Sequence, residues 1–166
     1  MERVAHPFPP LYQKDSKILI LGSFPSVKSR EAMFFYHHPQ NRFWKIISAL
    51  HGQVLPTTID QKKELLINCK IAVWDVIQSC EITGSADSSI KNVVANDLNE
   101  ILKNADIRRI ITNGTTAYQL YMKYIYPMNN MEALKLPSTS PANAASNLEA
   151  LLSAWSVIKN YTEYER

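Results

Sequence analysis

The sequence is poor in what redox and metal centres are made of. Only two of its 166 residues are cysteines, Cys69 and Cys80. Apolar residues stand two positions away, Ile67 and Ile71 beside Cys69 and Ile82 beside Cys80, so two reduced, buried thiols are expected. A cubane iron–sulfur cluster usually takes four thiolates, which two cysteines cannot supply. His37 and His38 are adjacent, so their rings point in different directions, and no HExxH or CxxC stands near them; no metal site is expected. GxGxxG and GxxxxGK[ST] are both missing, which disfavours nucleotide cofactors, and no cofactor is expected. The loop Gly22-Ser23-Phe24-Pro25-Ser26 lacks the GxSxG of a hydrolase elbow, and Pro25 would obstruct a direct strand-to-helix turn. No apolar run approaches the ~20 residues a membrane span requires. Residues 1–17 hold Pro7, Pro9, Pro10 and several charges where a leader would have an apolar core. A soluble, cytoplasmic protein is therefore expected, with no membrane partner.

What is present fits one domain over residues 1–166, and 46% hydrophobic residues supply its core. The formal charge of +3 permits nucleic-acid contact without requiring it. Residues 1–15 read as an extended arm, because their prolines forbid a helix. The apolar run 17–21, ending at Gly22, has the profile of a strand buried on both faces. A helical pattern opens at Asn41 and runs to Leu50, with Gly52 as its stop. Asp60 is expected to cap a second helix reaching Asn68, and residues 71–74 form the second strand. Residues 78–92 are polar and read as irregular. A helix from Asn96 or Asp97 to Lys103, a strand at 107–112 and a helix from Thr115 to Tyr126 follow. A fourth strand covers 133–136, residues 137–143 form a loop, and a final helix spans 144–161 with its apolar residues on one stripe. Alternating strands and helices imply parallel pairing. The expected fold is a three-layer α/β/α domain around a central, mainly parallel four-stranded sheet.

Ligands of open parallel sheets bind beyond the carboxyl ends of the strands. Here those ends are residues 22–26, 74–78, 112–116 and 136–143. All four carry small or polar residues, so topology locates a site before any reaction is considered.

Four segments also carry a resemblance. They are Gly22-Ser23-Phe24-Pro25-Ser26, Phe35-Tyr36-His37-His38-Pro39-Gln40-Asn41-Arg42-Phe43-Trp44, Trp74-Asp75-Val76 and Leu136-Pro137-Ser138-Thr139-Ser140-Pro141-Ala142. Together they resemble the uracil-DNA glycosylase superfamily, most closely its hypoxanthine-DNA (DNA-deoxyinosine) glycosylase branch. The resemblance runs from about residue 4 to 160, and it implies base excision. A deaminated base, hypoxanthine or uracil or both, would be flipped out of double-stranded DNA. Water would then hydrolyse the N-glycosidic bond, with the protein acting as a monomer. Asn41 matches the branch's functional asparagine; it can orient water through its carbonyl or hold the base through its amide, and it can also cap the helix. The base pocket would comprise Gly22, Ser23, Phe24, Pro25, Ser26, Asp75 and Asn113. Phe24 would stack on the base or plug the core. Asp75 would activate water or cap a turn. Arg42, Ser138, Thr139, Ser140, Pro141 and Ala142 would contact DNA, with Lys28 and Arg30 as further phosphate ligands. Uracil-specific relatives carry a histidine before the Pro-Ser pair, and Leu136 stands there instead. Relatives often keep an acidic or amide side chain in the first loop, where this sequence has Ser23 and Phe24. A non-catalytic nucleic-acid or nucleotide-binding module on the same fold is the alternative.

Overall fold

The computed structural model describes residues 2–162; Met1 and residues 163–166, at the ends of the expected domain, lie outside it. Among the described residues, seven strands form two sheets. The larger contains β2 (Ile18–Gly22), β3 (Ile71–Asp75), β6 (Arg109–Asn113) and β7 (Ala133–Leu136) in the order β3-β2-β6-β7. Every pair in it is parallel. Each residue of β2 and β3 is buried. Successive strand residues point to opposite faces, so both faces must be covered, as the unbroken apolar runs required.

The cover is helical. α1 (Val27–Ala32), α2 (Phe43–Leu50), α3 (Ile59–Asn68), α4 (Asn99–Asn104), α5 (Thr115–Leu120), α6 (Tyr126–Asn129), α7 (Leu148–Trp155) and α8 (Lys159–Thr162) follow in chain order. Phe43, Ile46 and Ile47 of α2, Leu66 of α3, and Leu151 and Trp155 of α7 pack into the same core as the strands. This is the expected α/β architecture around a parallel four-stranded sheet.

Several local expectations change. Thr58, not Asp60, caps α3: its hydroxyl accepts the Gln61 N–H, and the Gln61 side chain returns to the Thr58 N–H. Asp60 instead sits in the first turn, where a negative charge favours the helix dipole. α4 begins at Asn99 rather than Asn96, whose amide donates to the Asp75 and Ile77 carbonyls. The helix expected over 144–161 starts only at Leu148, capped by Asn147, and ends as α7 at Trp155, with α8 following. Between α5 and α6 the chain passes through a wide helical turn at Tyr121–Ile125, which carries the helical path through Pro127.

The largest departure is a second sheet. β1 (Glu2–Ala5), β4 (Ile77–Ile82) and β5 (Lys91–Ala95) pair antiparallel in the order β1-β4-β5. The polar stretch 78–92 hid it because the β4–β5 register shifts twice. Buried Ile77, Cys80 and Ile82 consequently do not alternate with period two.

Candidate active site

A cavity of about 570 Å³ opens at the carboxyl ends of the parallel strands. Residues 22–26, Asn41, Asp75, Asn113 and residues 138–142 all line it. Four strand ends far apart in sequence therefore converge, as the topology requires, and Asn41 joins them.

The wall formed by residues 138–142 is tied to Asn41 by a directed chain of hydrogen bonds. The Thr139 backbone N–H donates to Asn113 Oδ1 at 3.0 Å, and Asn113 Nδ2 returns to Thr139 Oγ1 at 3.0 Å. The Thr139 hydroxyl then donates to Asn41 Oδ1 at 2.8 Å. That same oxygen accepts the Phe43 N–H at 2.9 Å, which supplies an orphan donor at the start of α2 with its partner. Because backbone N–H groups can only donate, they dictate which way both amides face. Asn41 thus has its carbonyl occupied twice and its Nδ2 without a protein partner among the described residues. Asn113 is a clamp on Thr139, which is fully buried.

Two arginines expected at phosphates are placed differently. Arg42 is absent from the cavity wall, and its guanidinium donates to the carbonyls of Thr139, Ser140, Asn143 and Ser146. It shapes the loop from behind instead of standing free for DNA. Arg30 donates to the carbonyls of Pro25 and Gly84 and lies 5.5 Å above the Phe24 ring. Phe24 lines the cavity while being 9% exposed, so its ring belongs to wall and core alike. Lys28 remains exposed. On the opposite rim, Pro141 and Ala142 are exposed. Ser138 and Ser140 accept the N–H groups of Ser140 and Ala142, each at 3.1 Å. Their own O–H groups stay available as donors.

Three residues to which sequence reasoning gave no chemical role shape the site. His6, from the arm, reaches Asp75 Oδ2 with Nε2 at 2.7 Å, and the two side chains are 1% and 5% exposed. Nothing near His6 in sequence signals this partner, 69 residues away. Tyr36 also lines the cavity; its φ of 49° is left-handed, and its ring stacks 4.1 Å from Phe43. Among the described residues its buried hydroxyl donates to no acceptor. Burial, and then the Asp75 carboxylate, raise its pKa against the opposing Asn113 amide, so it stays protonated. The third residue is Asp87, in the single helical turn Asp87–Ser89 before β5, where Ser23 Oγ donates to its Oδ1 at 2.9 Å. Protein atoms crowd this carboxylate although one side meets solvent. That desolvation is the main reason its pKa is raised; Ser23 opposes it, Asp75 adds to it and Thr116 opposes it.

Gly22 is explained by this arrangement. A methyl group there would meet Asp75 Oδ1 at 2.5 Å and the Tyr36 hydroxyl at 3.2 Å. Only a bare backbone lets both groups close on the strand end.

Known proteins share this frame. The family model of the uracil DNA glycosylase superfamily matches residues 9–159. A protein of Methanosarcina barkeri named hypoxanthine DNA glycosylase is 32% identical over 151 residues, 89% of this chain and 93% of its own. A namesake from Methanosarcina acetivorans is 33% identical over 138 residues, 82% and 86% of the two chains. A solution NMR structure from Methanosarcina acetivorans, described as a candidate uracil DNA glycosylase, superposes with a TM-score of 0.80 at 29% identity. It covers 95% of this chain and 97% of that one. With the parallel sheet, the strand-end cavity and the four converging segments in place, the match over nearly the whole length means that this chain belongs to the uracil DNA glycosylase superfamily.

Proposed function

We propose that the protein is a monofunctional DNA glycosylase that flips hypoxanthine out of double-stranded DNA and hydrolyses its N-glycosidic bond. The observation that carries this reading is the unpartnered Asn41 amide at a strand-end cavity, in a chain about one-third identical to two proteins named hypoxanthine DNA glycosylase. A base leaving C1′ takes the bonding electron pair with it. Donors aimed at that developing charge are what the step needs, and Asn41 Nδ2 is such a donor. Its carbonyl, already filled by Phe43 and Thr139, is not the group that orients water.

Water is the nucleophile, since among the described residues no lysine lines the cavity to form a Schiff base. Of the two lining carboxylates, Asp75 is buried against His6, whereas Asp87 meets solvent. Asp87 therefore takes the proton of the water that attacks C1′. Phe24 stacks on the extruded base, and the 138–142 rim grips the backbone through Ser138, Ser140 and exposed Pro141 and Ala142.

The test uses end-labelled duplexes holding one deoxyinosine or one deoxyuridine, followed by alkaline cleavage of abasic sites. Scission at deoxyinosine is expected, abolished in Asn41→Ala and retained in Val54→Ala, at a surface position 90% exposed. Scission at deoxyuridine as well would widen the substrate class to uracil. Tight duplex binding with no scission of either substrate would overturn the enzymatic reading in favour of a binding module.

A further inference from the structure

The Tyr36 hydroxyl is a buried donor at the cavity with no acceptor among the described residues. Buried donors without partners are costly and rare, and one at a ligand cavity calls for a ligand acceptor. Its neighbour is Asp75, and both lie against the space that a Gly22 side chain would have filled.

Resting on the reading of this cavity as a base pocket, we propose that Tyr36 and Asp75 together recognise the lactam edge of a deaminated base, with His6 as the positioning residue for Asp75. The Tyr36 O–H donates to the ring carbonyl oxygen, and Asp75 Oδ1 accepts the adjacent ring N–H. The chemistry follows from what deamination does. Adenine presents an exocyclic NH₂ donor beside a ring-nitrogen acceptor. Its deaminated product presents a carbonyl acceptor beside a ring N–H donor. A carboxylate can only accept, and a phenol held in its protonated form donates. This pair fits the product edge and sets lone pair against lone pair with adenine.

The fold holds the pair in that sense. His6 Nδ1 faces the Phe8 N–H at 3.5 Å, which leaves the proton on Nε2 to donate to Asp75 Oδ2. The imidazole is wedged against Phe8, 4.6 Å away, and Trp74, 4.4 Å away. One carboxylate oxygen is thereby locked while Oδ1 stays beside Gly22 and Tyr36. β1 brings His6 there by pairing with β4, so the arm serves the pocket from behind.

The test compares binding of duplexes holding a cleavage-resistant 2′-fluoro nucleotide of either hypoxanthine or unsubstituted purine, which has neither carbonyl nor ring N–H on that edge. Wild type should bind the hypoxanthine duplex at least about tenfold more tightly. Tyr36→Phe keeps the ring on Phe43 and should lose about tenfold on hypoxanthine and nothing on purine. His6→Gln, which retains an N–H donor, should preserve the discrimination, and His6→Leu should lose it. Equal losses on both duplexes, or no wild-type preference, would overturn the proposal. Scission of an ordinary deoxyinosine duplex by the same preparation reports separately on the glycosylase reading, so the two can fail independently.

Discussion

The parallel sheet and the small antiparallel sheet both reach the cavity, but they are built differently. β2 and β3 are buried at every position, whereas β1 and β5 are mostly exposed. The first supplies the loops and Asp75 from strands that cannot shift without opening the core. The second delivers His6, just after β1, and Asp87, in the turn between β4 and β5, from a sheet held in the core by Ile77, Cys80 and Ile82 of β4. A buried frame shapes the cavity, and an accessory sheet with exposed outer strands contributes Asp87 to its wall and His6 behind Asp75.

That contrast can be broken most sharply by cavity creation. Ile20→Ala, in the centre of β2 and 0% exposed, is expected to cost about 3 kcal/mol in urea unfolding. The next effect is on catalysis and leaves the frame alone. Asn41→Asp keeps an oxygen for Phe43 N and Thr139 Oγ1 but removes the amide donors. Excision of hypoxanthine should fall by at least about a hundredfold, with stability changed by less than about 1 kcal/mol. Recovery of wild-type rate in this variant would show that the amide is not the working group.

Asp87 probes the accessory sheet. Its carboxyl pKa is raised by desolvation and by Asp75, against the Ser23 and Thr116 hydrogen bonds. The ionised form is the one that accepts a proton, so activity should be lost as pH falls through a value above the ordinary carboxylate range. Asp87→Asn should lower single-turnover excision by roughly a hundredfold and remove that acid limb. An acid limb that persists would place the titration elsewhere. The smallest effect is expected at Val94→Ala, 45% exposed on β5, within about 0.5 kcal/mol of wild type. A loss as large as that of Ile20→Ala would erase the distinction between the sheets.

Much of the cavity could be read from one dimension because short-range rules govern it. Unbroken apolar runs at β2 and β3 require burial on both faces, parallel strands align their carboxyl ends, and residues 22–26 and 138–142 fall there. Arg42 and Arg30 show where such reading stops. Each looked like a free cation, and only the folded chain shows carbonyls closing on its guanidinium. The antiparallel sheet was hidden for a related reason: its bulged register removes the alternation that marks a strand.

By itself the sequence determined the parallel sheet and the strand-end position of the candidate site, since periodicity and topology act locally, while the candidacy of Asn41 rested on the family resemblance. Tertiary structure alone decided what those residues can do. It filled the Asn41 carbonyl and left its amide free, paired His6 with Asp75 across 69 positions, and buried the Tyr36 hydroxyl beside them. Hydrogen-bond direction and burial are properties of neighbours in space, and a linear pattern does not carry them.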